Sequence, residues 1–135
     1  MHLMDRFIRS AIATGIATVL LLTAACGGQP AASDTALAQG KVLFVRCASC
    51  HAATAGAPTK IGPNLDGVVG RKGGSLAGYH YSPAMQANGP VWTEENLDRW
   101  LTGPEKVVPG TSMAFAGLPD PAERKALIAY LKTLR

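Results

Sequence analysis

The stretch Cys47-Ala48-Ser49-Cys50-His51 sets two thiols and an imidazole within five residues, in a chain of 135 residues that has only three cysteines. On a helical backbone Cys47 and Cys50 lie about one turn apart, so both sulfurs can reach along one edge of a flat molecule. His51 follows at once and can turn a ring nitrogen toward a metal at the centre of that molecule, from the same side.

Cys-x-x-Cys-His at this spacing is the attachment motif of c-type haem, with both thiols adding to the porphyrin vinyl groups and the histidine binding iron. Three other chemistries use paired cysteines. A thioredoxin-like redox pair needs a βαβ setting, which this sequence lacks. A zinc site needs a second ligand pair, and His80 with distant Cys26 makes a poor one. A disulfide across three residues closes a very small loop and stabilises little. Haem therefore outranks all three.

Iron held by His51 needs a second ligand. Met85, Met113 and His80 are available in the same region. A methionine is more often core filler than ligand. Met113, however, follows Val107-Val108-Pro109-Gly110-Thr111-Ser112, a turn-rich stretch that can present a side chain inward, 62 residues beyond His51. Met85 falls in a short helical turn and reads as packing. His80, between Tyr79 and Tyr81, reads as a surface or hydrogen-bonding histidine.

The elements that position these groups are helical. Asp34 is expected to cap a helix running through Val45, with Leu37, Gly40 and Phe44 on one face. A short turn is expected from Ser82-Pro83 to Asn88-Gly89. Thr93 precedes Glu94 and Glu95, then Leu97, Trp100 and Leu101 form an apolar stripe that stops at Gly103-Pro104. Asp120, Pro121 and Glu123 open a last helix carrying Leu127, Ile128, Leu131 and Leu134, with Tyr130 close to that face. No strand pattern stands out. Residues 52 to 91 are rich in glycine and proline. So long a loop suits a compact domain only if something other than polypeptide fills the centre.

Residues 1 to 25 read as an export segment: a basic start with Arg6 and Arg9, an apolar run over residues 11 to 22, then small residues. The run is shorter than the roughly 20 residues of a membrane-spanning helix, which favours cleavage over an uncleaved anchor. Leu22-Thr23-Ala24-Ala25-Cys26 resembles a lipoprotein box with Cys26 as the lipidated residue; the bland alternative is a bystander thiol. Residues 26 to 36, small and polar, read as a flexible tether, leaving residues 37 to 135 as one domain. The net charge is +4 for the whole chain. Without Arg6, Arg9 and Asp5 the chain keeps 11 basic and 8 acidic side chains, a net +3. That is too weak and scattered for nucleic acid.

From residue 39 onward the sequence resembles class I cytochrome c of the mitochondrial and purple-bacterial type. The resemblance rests on the haem motif, Ile61-Gly62-Pro63-Asn64-Leu65, Gly67-Val68-Val69-Gly70-Arg71, Gly78-Tyr79-His80-Tyr81, Trp92, Pro109 to Gly117 and Leu127 to Leu131. It implies an all-α fold: three main helices and a short one, with long irregular loops, wrapped around one covalent haem c. It implies His51 and Met113 as axial ligands and the Pro63 carbonyl as acceptor from His51. Arg71, Tyr81 and Trp92 would surround a haem propionate, with Thr111 nearby and Phe115 shielding the haem edge. Gly40, Phe44, Leu127 and Tyr130 would join the first and last helices. Two positions depart from the pattern: Met85 replaces an asparagine, and Trp100 a tyrosine that donates to the methionine sulfur.

The function implied is that of a single-haem electron carrier and not an enzyme. It would act as a monomer on the periplasmic side of a bacterial membrane, lipid-tethered or else soluble. Its donor and acceptor would be membrane-bound complexes: a bc1-type complex, an oxidase or a reaction centre. A peroxidase or gas-binding haem protein with a labile methionine, or a fixed relay subunit of one complex, is the alternative.

Overall fold

The computed structural model describes residues 32–135. The expected export segment, Cys26 and the first part of the expected tether lie outside them. Six helices follow in order: α1 (Ala32–Leu43), α2 (Val45–Ala48), α3 (Pro83–Asn88), α4 (Glu94–Thr102), α5 (Pro104–Val107) and α6 (Pro121–Leu131). None of them is long and apolar enough to cross a membrane.

Helix starts follow from side-chain oxygens that take amide protons otherwise without partners. Ser82 accepts from Met85 N at the start of α3, Thr93 from Asn96 N at α4, and Asp120 from Ala122 N at α6. Helix α1 departs from expectation. It begins at Ala32, so Asp34 sits in its first turn and not at its cap. Residues 32 to 36 of the expected tether are thus helical, since alanines with an acidic first turn propagate helix readily. Helix α4 ends at Gly103, and Pro104 immediately restarts the chain as α5, which sequence periodicity did not show.

Helices α1 and α6 cross in close contact at Gly40. A Cβ there would run into the Ala126 carbonyl and approach the Tyr130 Cβ to 2.8 Å. Phe44 packs on Tyr130 with ring centroids 5.2 Å apart. The core behind this crossing gathers Phe44, Met85, Leu97, Trp100, Leu101, Leu118, Leu127 and Leu131.

Apart from α3, the chain between α2 and α4 is irregular yet closed by hydrogen bonds. Lys72 and Val91 form an antiparallel bridge, and Trp92 N donates to Arg71 O at 2.9 Å. Buried Asn64 ties the near side together: its amide group donates to Thr54 O and Ala57 O, and its Oδ1 accepts Asp66 N.

Candidate functional site

Helix α2 and the turn after it carry the two thiols. Cys50 N and His51 N both donate to Cys47 O, at 3.0 and 2.9 Å, which keeps a helical path through the motif. No disulfide joins Cys47 and Cys50. Burial pushes the Cys47 thiol up in pKa, opposed by the Arg46 charge and reinforced by Cys50.

His51 is held from two directions. Its Nδ1 lies 2.7 Å from the Pro63 carbonyl, so the proton sits on Nδ1 and Nε2 carries the free lone pair. Gly62 lies flat against the imidazole, where a Cβ would overlap the ring. Gly62 N donates to Cys50 O at 2.8 Å, and Lys60 Nζ to Ala48 O at 2.7 Å. Burial lowers the His51 pKa and Lys60 adds to that, while the Pro63 hydrogen bond works the other way. The imidazole is therefore kept neutral, the state a metal ligand requires.

Cys47, Cys50 and His51 open onto one cavity of about 350 Å³. Every cofactor-side residue expected from the sequence lines it: Pro63, Arg71, Tyr81, Trp92, Thr111, Met113 and Phe115. Met85 and Trp100 line it too, both buried; His80 does not and is exposed. Met113 is placed by a local turn, its amide donating to Thr111 Oγ1 at 3.3 Å. Trp92 and Trp100 meet edge to face, centroids 5.0 Å apart. The Arg46 guanidinium stands 6.0 Å above the Phe115 ring at the cavity mouth.

Arg71 spends two of its N–H groups on the chain itself, donating to Asp66 O and Asn64 O at 2.9 and 2.7 Å. Its charge thus faces the cavity on a fixed stem, with three donors left over. Burial pushes the Tyr81 phenol up in pKa, against the Leu76 backbone and the Arg71 charge, with Tyr79 adding to the rise. It stays a neutral donor. Among the described residues no three His, Cys, Asp or Glu side chains converge on a cation site, which leaves the zinc reading without ligands there.

The cavity matches a haem by donor chemistry: two thiols at one edge, an imidazole lone pair, and a largely apolar wall with cationic and phenolic donors at one end. Comparison with known proteins decides the matter. The family model described as cytochrome c matches residues 37–135.

The chain is a class I cytochrome c.

Cytochrome c-550 of Ancylobacter novellus is 46% identical over 99 residues, spanning 71% of this chain and 92% of that protein. Cytochrome c2 of Agrobacterium tumefaciens (strain II Chrys) is 45% identical over 98 residues, 70% of this chain and 88% of that one. Cytochrome cH from Methylobacterium extorquens superposes with a TM-score of 0.68 at 42% identity, covering 72% of this chain and 97% of that structure. Membership brings one covalently bound haem c with its iron, and the all-α fold with it. It also brings the role of electron carrier.

Sequence reasoning missed Gly62, Asn64, Lys60 and the Tyr79 hydroxyl as parts of this site. Gly62 had a signal, a glycine directly before the proline that accepts from the ligand histidine. The others act through backbone carbonyls that no residue pattern identifies.

Proposed function

We propose that this cytochrome carries single electrons with its iron held by His51 Nε2 on one side and the Met113 thioether on the other. The observation that supports this most is that His51 and Met113 line one cavity with Cys47 and Cys50, while His80 stays outside. Haem supplies an iron that changes its charge by one at a potential its ligands set. The protein's work is positional. Pro63 keeps the imidazole proton on Nδ1, Gly62 gives the ring room, and Thr111 sets the turn from which Met113 enters. Arg71, Tyr81 and Trp92 offer donors to a buried propionate, since a carboxylate in a dry interior requires charge-assisted hydrogen bonds. Held by His51 and Met113 together, the iron would have no open place for substrate or oxygen.

Donor and acceptor are membrane-bound complexes, of bc1, oxidase or reaction-centre type, on the periplasmic side of a bacterial membrane. The basic start, short apolar run and Cys26 of the sequence support a lipid tether there, with soluble periplasmic protein as the alternative fate.

The purified holoprotein tests the reading. A reversible one-electron titration is expected, with an absorption band of methionine-ligated iron toward the red. The ferrous form should not bind carbon monoxide at neutral pH. Met113→Ala should keep haem attached and lose that band. If the band survives, Met85 is the ligand; rapid stoichiometric carbon monoxide binding by the unaltered protein would replace the carrier reading with a gas-binding one.

A further inference from the structure

Met113 is carried by a segment with almost no hydrogen bonds of its own. From Ser112 to Gly117 no main-chain N–H donates to a main-chain carbonyl among the described residues, and Met113 N reaches only the Thr111 hydroxyl. The segment is fixed at its two ends. On the far side, buried Leu118 donates its N–H to Leu101 O at 2.7 Å. On the near side, Thr111 N donates to Val108 O at 3.0 Å and closes a turn through Pro109 and Gly110. Gly110 has φ +87, and proline followed by such a glycine marks a type II turn. The type I alternative rotates the Pro109–Gly110 peptide by roughly 150°, and glycine makes that rotation easy. One side chain opposes it: Glu105 Oε1 accepts Gly110 N at 2.9 Å. Glu105 stands on α5 beside buried Pro104, and Val108 N, from a residue buried as well, donates to Pro104 O. Its stem is therefore fixed.

We infer that Glu105 is a positioning residue for the Met113 thioether, which rests on the ligation by Met113 proposed above. Its carboxylate holds the Pro109–Gly110 peptide in the orientation from which Thr111 and Met113 both enter the cavity they line. The bond adds little to global stability, because Gly110 is exposed and water can replace the carboxylate there. Its effect falls on the choice between two turn shapes, where water has no preference and Glu105 has one. A charged acceptor makes a hydrogen bond about twice as strong as a neutral one. Neither salt bridge among the described residues uses Glu105, so the carboxylate is not diverted to a cation. When the peptide rotates, the segment beyond Thr111 loses its entry angle and the thioether leaves the iron more often. The released state has an open axial position, so an added ligand reads its population.

The test titrates the ferric holoprotein with imidazole at about pH 8, where an imidazole is largely uncharged. Apparent affinity for the added ligand scales with the fraction of protein whose thioether is off the iron. Glu105→Ala should lower the imidazole Kd about fivefold, the effect of one ordinary hydrogen bond on an equilibrium. Glu105→Gln keeps a neutral acceptor oxygen and should lower it only about twofold. Both changes should persist from about 20 to about 300 mM salt, a range over which a charge acting at a distance is screened. Amide hydrogen exchange at Gly110 should quicken in Glu105→Ala. In a Met113→Ala background, Glu105→Ala should make no further difference to the Kd. An unchanged Kd in Glu105→Ala overturns the proposal. So does a gain that Glu105→Gln shares in full, one that fades at high salt, or one that survives in the Met113→Ala background. If the unaltered protein lacks the methionine band, ligation by Met113 fails and takes the role of Glu105 with it. If the band is present and Glu105→Ala binds imidazole as the unaltered protein does, only the role of Glu105 is wrong.

Discussion

The Tyr79 hydroxyl donates to the carbonyl oxygen of Ile61 at 2.7 Å, joining positions 18 residues apart. Through it the turn that carries Tyr81 is fastened to the loop that supports His51, because Gly62 and Pro63 follow Ile61 directly. The Tyr79 ring also meets Tyr81 edge to face, centroids 4.7 Å apart. Tyr79→Phe keeps the ring contact and removes the hydrogen bond alone. Stability of the holoprotein in urea should fall by about 1 kcal/mol with the low-spin spectrum retained. An unchanged unfolding midpoint would show that the bond contributes nothing.

Gly62→Ala acts on the same loop more directly. The new methyl overlaps the His51 ring, and the ring cannot retreat without leaving Pro63 or the cavity. Loss of the low-spin absorption spectrum is expected, with a stability cost above about 2 kcal/mol from overpacking. Gly56→Ala is the control. It has φ +70 with open space around its Cβ position, so it should cost only the left-handed backbone penalty of about 1 kcal/mol and leave the spectrum intact. Equal effects of the two would remove the steric account.

Why some of this could be read in the sequence and some could not follows from the range of the interactions. The thiol and imidazole spacing, the Ser82, Thr93 and Asp120 caps, and the turn that presents Met113 are all local, so residue order alone reveals them. The long glycine-rich segment also pointed correctly to a centre filled by a non-protein group. The start of α1 was misplaced because Asp34 serves equally well at a cap or in a first turn. Helix α5 is too short, at four residues, to display a period. The carbonyl acceptors of Arg71, Asn64, Lys60 and Tyr79 were invisible because every residue carries a carbonyl, and only the folded path brings the right one into reach.

At the crossing of α1 and α6, Gly40→Ala should be strongly destabilising although alanine is the better helix former. Propensity would favour the variant by about 1 kcal/mol. The obstruction is the Ala126 main-chain carbonyl, which cannot turn aside as a long side chain can, so the helices must separate and loosen Phe44 on Tyr130. A net loss of about 2 kcal/mol or more is expected, measured by urea unfolding of the holoprotein. Tyr130→Ala in addition should not rescue it, because the carbonyl remains. A neutral or stabilised Gly40→Ala would mean the two backbones are farther apart than described.

Tyr81 gives the alkaline limb of stability a definite sign. Its pKa is raised, first of all by burial, so between the free phenol value near 10 and the folded value the native chain holds a proton that the unfolded chain has released. That contribution is fully present below about pH 10 and is lost as pH climbs through the folded pKa. Ultraviolet titration of the phenolate band should therefore show one tyrosine ionising above the free phenol, and Tyr81→Phe should delete that component. Stability measured in urea at several alkaline pH values should fall less steeply in the variant than in the unaltered protein. The same slope in both would mean that Tyr81 meets solvent as freely in the folded protein as in the unfolded chain.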